Sequence, residues 1–166
     1  MALNIYIQFT FGGTQIVGGP NTIQTIGGVN VSNHIEVFSL YHEVSLPMSV
    51  DGRATGARRE YQPITIVKAQ DRASPLFLSA LDRNDTVEAT IRYFGINPAN
   101  GETVLFQQQT LTGGRIASVR TEMLNNLYPD SVNLPVLERV SIVYHTLITT
   151  NEIFGTESQI LWSTSV

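Results

Sequence analysis

Apolar residues return at every second position through most of this 166-residue chain. That period belongs to strands with one face buried. Thr86 to Gly95 places Val87, Ala89, Ile91 and Tyr93 on one face. Leu3 to Phe11, Ile35 to Val44, Ile64 to Lys68 and Glu102 to Leu111 read the same way, with Ile35, Val37, Ser39 and Tyr41 sharing a face of the second. Asn97-Pro98-Ala99-Asn100-Gly101 is a turn that folds Glu102 to Leu111 back as a hairpin. Gly113-Gly114 predicts another turn, and Arg115 to Met123 another strand. Residues 125–135 form a loop containing Pro129 and Pro135. Leu137 to Thr150 reads as one long strand with Val140, Ile142, Tyr144 and Ile148 on one face, and Gln159 to Trp162 adds an edge. Residues 12–33 carry three Gly-Gly pairs and predict a loop with one ragged edge strand.

One segment breaks the pattern. Ser74-Pro75 is a helix start, with serine as N-cap and proline pre-set for the first turn. Leu76, Phe77, Ala80 and Leu81 then supply an apolar face, and the helix stops near Asn84. Roughly eight strands and one helix predict a mainly β fold. Its expected form is two packed antiparallel sheets making an open β-barrel with one flanking α-helix, a single domain over residues 1–166.

Charged residues make up 14% of the chain, against roughly 25% in an average soluble domain. So little charge predicts a surface largely covered by something else, most simply another copy. A net charge of −4 argues against nucleic-acid binding, which rests on neutralising phosphates. The absence of cysteine excludes disulfides, thiolate metal sites and thiol catalysis. The N-terminal MALNIYIQFTF has no basic n-region and alternates as a strand, so it is not read as a signal peptide. No apolar run approaches the ~20 residues of a membrane span. The expectation is a soluble protein made in the cytoplasm, with no membrane insertion.

Catalytic signatures are missing. The glycine pairs never precede Lys-Ser/Thr, and neither G-x-S-x-G nor H-E-x-x-H occurs. His34 and His42 lie eight residues apart, about 26 Å along an extended strand, too far to share a metal; His145 is left to approach either through the fold. Asp82 and Asp85 near the helix end, and Asp51 and Glu60 beside the arginines, do not form a recognisable acid–base pair. No cofactor, metal site or catalytic residue is predicted. Asn30-Val31-Ser32 and Asn84-Asp85-Thr86 match a glycosylation pattern short enough to arise by chance.

The charge feature that remains is local. Arg53, Arg58, Arg59, Lys68 and Arg72 are five of the ten basic residues, inside twenty positions. Three readings stay open. The cluster is a phosphate-contacting patch, a solvated hairpin tip, or an arm at about 46–61 that docks on a neighbouring subunit. Asp51, Glu60 and Asp71 interrupt the patch, and no aromatic ladder accompanies it. The arm reading uses arginine to pair with carboxylates and glycine to permit close approach.

The order of these pieces resembles the Hcp family. Ile35-Glu36-Val37 and Ser39 through Val44 look like that family's strand before its extended loop. Asp51-Gly52-Arg53-Ala54-Thr55-Gly56 followed by Arg58-Arg59 is similar to its Thr-Gly-basic-Arg signature. Pro63-Ile64-Thr65-Ile66, Lys68, Asp71 and Ser74-Pro75-Leu76 follow in the family's order. Leu134-Pro135, Leu137-Glu138 and Val140-Ser141 match the region before its last long strand. The chain departs from the family pattern at Ala57, where lysine is common, and at Glu60-Tyr61-Gln62. The resemblance implies a tube subunit of bacterial type VI secretion that forms homohexameric rings. By that implication the rings stack inside a contractile sheath on a baseplate, meet a VgrG spike, hold small effectors in the lumen and leave the cell without a cleaved leader. Asp51, Gly52, Arg53, Thr55, Gly56, Arg58, Arg59 and Glu60 are the expected inter-subunit or ring-stacking loop. A phage-type tail-tube protein and, in a different class, a β-sandwich effector with its own hydrolase activity are the alternatives.

Overall fold

The computed structural model describes residues 2–53 and 58–162. The chain opens with β1 (Ala2–Phe11) and β2 (Thr14–Ile16). Then come β3 (Thr25–Ile26), β4 (Val29–Asn30), β5 (Ile35–Val37), β6 (Ser39–Tyr41) and β7 (Val44–Ser45). β8 (Glu60–Tyr61) and β9 (Ile64–Ala69) lead into α1 (Ser74–Arg83). β10 (Val87–Ile96), β11 (Thr103–Glu122), β12 (Leu137–Val143), β13 (Thr146–Asn151) and β14 (Thr156–Leu161) complete the fold.

Ten of these strands form one antiparallel sheet, ordered β2-β1-β10-β11-β12-β9-β6, with β13-β14 branching from β11 and β5 from β1. The sheet curls around a core without closing into a continuous ladder, and α1 lies against one flank. This is the mainly β, open-barrel architecture expected. β5 pairs with β1 while β6 pairs with β9, so residues 35–41 cross the opening between the two ends of the curl. The expected single strand over 35–44 is therefore divided into β5, β6 and the first residue of β7, with the first break where Phe38 N–H donates to Val67 O. Ile35 and Val37 are buried but Ser39 and Tyr41 are exposed, so the four do not share a face.

The core gathers Ile7, Phe9, Phe11, Ile35, Ile64, Ile66, Ile91, Leu111, Val140 and Ile142. Their alternation on β1, β9, β10 and β12 is the period-2 pattern of the sequence. The other face of β1 and β10 is covered as well, by the glycine-rich segment. Val31 packs on Tyr6 and Phe94, and Asn21 Nδ2 donates to Val31 O and His34 O, each at 2.7 Å.

Gly113-Gly114 does not turn the chain. β11 runs through both glycines as a twenty-residue strand. Its first half pairs with β10 and β13, and its second half with β12. Gly114 is needed because a Cβ there would lie 2.7 Å from Val143 O and 2.7 Å from Leu111 Cδ2. Two strands meet on this stretch, and only a residue without a side chain lets them approach. The expected final strand is likewise divided, at Tyr144-His145. Val140, Ile142 and Tyr144 are buried, yet the next buried residue is Leu147, so the inward parity shifts by one and Ile148 leaves that face.

The helix starts where expected, with different capping. Ala73 is the N-cap and makes no side-chain cap bond, while Ser74 is the first helical residue. Asp71 takes the capping role, its Oδ1 accepting from Ala73 N at 3.0 Å. The buried face is Ser74, Phe77 and Ala80, at helical spacing, whereas Leu76 and Leu81 are exposed. Asn84 ends the helix in the left-handed region, as an asparagine can.

Candidate assembly surface

The arm begins as a short two-stranded clasp. Val44 pairs with Tyr61 and Ser45 with Glu60, and of the segment between them residues 46–53 and 58–59 are described. The clasp continues the line of β6 past the Ile64 end of β9, which fixes the arm to one pole of the fold. A turn closes within it, with Gly52 N donating to Ser49 O at 2.9 Å and Arg53 N to Ser49 Oγ at 3.2 Å. Gly52 has φ 74°, which glycine adopts without strain.

Asp51, Gly52, Arg53, Arg58, Arg59 and Glu60 lie on this arm and are all exposed. Thr55 and Gly56 lie outside the described residues. Ion pairs among the described residues are Lys68–Asp71, Lys68–Glu138 and Arg83–Asp85, and none uses an arm arginine. The arm also displays apolar side chains that the sequence reading passed over: Leu46, Met48 and Val50 are exposed, Val50 completely at 107%.

An aromatic cluster anchors the arm. Tyr61 stacks on Trp162 with centroids 6.1 Å apart and planes at 21°. Tyr144 meets Trp162 edge-on at 5.3 Å, and Tyr144 OH lies 2.7 Å from His42 Nε2. Burial, with a smaller contribution from Tyr61, pushes the Tyr144 phenol up to about 12, so it stays protonated and donates to a neutral His42.

Two histidines, the buried His34 and the half-buried His42, resist protonation. Burial holds His42 below the ordinary imidazole value. Burial, and then the Arg92 guanidinium 2.7 Å from Nε2, does the same for His34. A lowered folded pKa means that the unfolded chain takes up protons first as pH falls through about 6.5, so stability rises with pH across that window and is complete above it. Thermal unfolding followed by circular dichroism is expected to show Tm falling from about pH 7 to pH 5, with His34→Gln and His42→Gln each flattening the slope.

Lys68 and Arg72 are not part of the arm. Alternation along β9 turns Ile64, Ile66 and Lys68 inward, and Lys68 is 0% exposed. Four acceptors surround its three Nζ protons: Glu138 Oε2 at 2.8 Å, Asp71 Oδ1 at 2.9 Å, Ala69 O at 2.9 Å and Ser74 Oγ at 3.1 Å. Ser74 Oγ in turn donates to Glu138 Oε2 at 2.7 Å and accepts from Asp71 N. A buried ammonium is tolerated because each proton has an acceptor. Arg72 donates through Nε to Gly18 O at 2.6 Å. The five-residue basic cluster thus divides into three exposed arginines on the arm, the buried Lys68, and Arg72, which is exposed but tied to Gly18 O. Burial takes Lys68 out of the phosphate-patch reading.

Among the described residues no three His, Cys, Asp or Glu groups lie close enough to hold a metal ion. His145 Nδ1 lies 3.0 Å from Thr146 Oγ1, and His42 meets a phenol and no carboxylate.

The sequence model of the family described as "Type VI secretion system effector, Hcp" matches residues 19–150. The chain belongs to the Hcp family. A Pseudomonas aeruginosa relative, "Major exported protein", is 27% identical over 173 residues, covering 100% of this chain and 99% of that protein. Among solved structures, a crystal structure titled "Hcp protein" superposes with a TM-score of 0.81 at 18% identity, covering 96% of this chain and 98% of the other. A tryptophan-substituted mutant of Hcp1 from the E. coli EAEC 042 pathovar gives 0.79 at 21% identity over 97% and 99%. Hcp3 of Pseudomonas aeruginosa gives 0.73 at 20% identity over 99% and 100%. The structural likenesses establish a shared fold, and the family match assigns this Hcp chain to the secreted tube proteins of type VI secretion. The family match takes in the arm, whose basic tip is therefore a feature of an Hcp chain.

Proposed function

We propose that the protein is a structural subunit of the type VI secretion inner tube, without catalysis. It closes into homohexameric rings that stack into a tube within the sheath, carry small effectors in the lumen and meet the VgrG spike. The observation that carries this reading is the arm: exposed apolar side chains and arginines without ion-pair partners among the described residues, set on an Hcp fold. An open curl with exposed edge strands is an aggregation hazard for a lone chain, and a ring that continues the sheet from copy to copy removes it. Asp51, Gly52, Arg53, Thr55, Gly56, Arg58, Arg59 and Glu60 form the contact between subunits or rings. The chain leaves the cell in the assembled apparatus and needs no cleaved leader.

Native mass spectrometry of the purified protein tests the ring, with a hexamer expected; a strict monomer at high concentration would overturn the reading. Replacing Arg58 and Arg59 together by glutamate is expected to weaken or abolish assembly while circular dichroism stays unchanged, because both residues are exposed. Unchanged tubes and unchanged secretion from that variant would remove the arm from the interface. Hydrolysis lost on His42→Ala or His145→Ala would instead favour an effector with its own active site.

A further inference from the structure

We propose that His42 is a proton-operated latch, holding the base of the arm against the fold at neutral pH and releasing it in acid. The latch needs no second copy of the chain.

The arm joins the fold through a break in both of its strands. β6 ends at Tyr41 and β7 begins at Val44, while β8 ends at Tyr61 and β9 begins at Ile64. Tyr41 pairs with Thr65 and Val44 with Tyr61, so His42 and Glu43 lie opposite Gln62, Pro63 and Ile64. Two residues against three make a bulge, where a ladder is locally interrupted. Pro63 has no N–H to give. Across the break Gln62 N donates to Glu43 O at 3.0 Å.

Side chains add what the interrupted ladder lacks. His42 Nε2 lies 2.7 Å from Tyr144 OH, Tyr61 stacks on Trp162, and Trp162 meets Tyr144 edge-on. Each strand entering the arm thus contributes one ring, and both rings end on the Tyr144–Trp162 pair. Facing His42 are the Tyr144 phenol, between β12 and β13, and, across Trp162, the Tyr61 phenol of β8. The charged or titratable side chains next along these elements are Glu43, Glu60 and His145, all exposed. Glu43 accepts from Tyr41 OH.

The bond between His42 and Tyr144 needs a neutral imidazole. Tyr144 OH donates, and Nε2 accepts with its lone pair. A proton on Nε2 turns that acceptor into a donor and sets a charge among aromatic rings. Burial already holds His42 below the ordinary imidazole value. The docked ring therefore binds a proton less well than a ring turned out to water. The released arm takes up the proton, so its share grows as pH falls through about 6.5, by up to about tenfold per pH unit.

Two reporters are at hand. Trp162 is the chain's single tryptophan, and with no cysteine present a thiol can be placed on the arm alone. Val50→Cys protein, labelled with a maleimide fluorophore at this exposed position, is titrated in dilute solution from about pH 7.5 to about pH 5. Trp162 emission is expected to move to the red and the arm dye's anisotropy to fall, in one shared step, while the far-UV circular dichroism stays constant. His42→Gln keeps an acceptor for Tyr144 OH and does not titrate, so it is expected to abolish the step. His34→Gln is expected to leave it in place. Tyr144→Phe is expected to show the low anisotropy already at about pH 7.5. A step that survives His42→Gln overturns the latch, as does an anisotropy that stays constant across the range. Loss of the far-UV signal at the same midpoint overturns it too, because the whole fold and not the arm would then be responding.

Discussion

Lys68→Ala is expected to cost about 3–5 kcal/mol, because it leaves Glu138 as an uncompensated buried charge. Glu138 is 2% exposed and would keep only the Ser74 hydroxyl as a partner. For a domain whose net stability is about 5–15 kcal/mol, the loss is a large share of the total and lowers Tm by on the order of 10 °C. Glu138→Ala should do comparable damage from the other side. The informative variant is the double replacement Lys68→Met with Glu138→Leu. If the charges serve mainly to satisfy each other, a well-packed apolar pair restores most of the loss. Urea denaturation of the three variants checks this. A Lys68→Ala protein within about 1 kcal/mol of wild type would mean that water reaches Glu138 and the pair is not the pin between α1, β9 and β12.

Phe77→Ala is the second large expected loss, about 3–5 kcal/mol. Phe77 is the centre of the helix face, wholly buried, with its ring 5.1 Å from those of both Phe9 and Phe11 in edge-on contact. Truncation opens a void between the helix and β1 that a backbone held on both sides fills poorly. Phe77→Leu should cost less, since it keeps most of the volume. Lys68 Nζ also lies 5.5 Å from the Phe77 ring, so the two losses should not add. A double-mutant cycle by chemical denaturation measures the coupling, and strict additivity would show that the ammonium does not feel the ring.

These two residues show what could be read along the chain. The alternation that names Ile64 and Ile66 as inward also names Lys68 as inward. Parity was legible there, and the neighbouring arginines pointed the other way. What no local reading supplies is Glu138, far along the chain on β12, which makes a buried lysine tolerable. Ser74 is similar: Ser-Pro located the helix start to the residue, but the partner of its hydroxyl is tertiary, and the cap fell to Asp71. The strand breaks and continuities missed at Phe38, Gly113-Gly114 and Tyr144-His145 share one cause. At each, the chain changes its pairing partner or its inward parity, and period-2 alternation describes one strand against one environment. The arm was legible as an outlier in charge. The loop at 125–135 was legible from its two prolines, but the exposure of Leu127, Tyr128, Val132 and Leu134 was not, because apolar residues in a connection have no period to report.

The continuous run of β11 has a mechanical consequence. Its second half, Arg115–Glu122, is a tie rod between the arm pole and the opposite pole, with β12 and β9 beside it. A push delivered at one pole and resisted at the other acts parallel to these strands. The ladder bonds lie across them, so such a load is shared by many bonds at once instead of opening them one after another. A subunit built this way is stiff along these strands and more easily parted sideways, where β14 and β2 are held by single ladders.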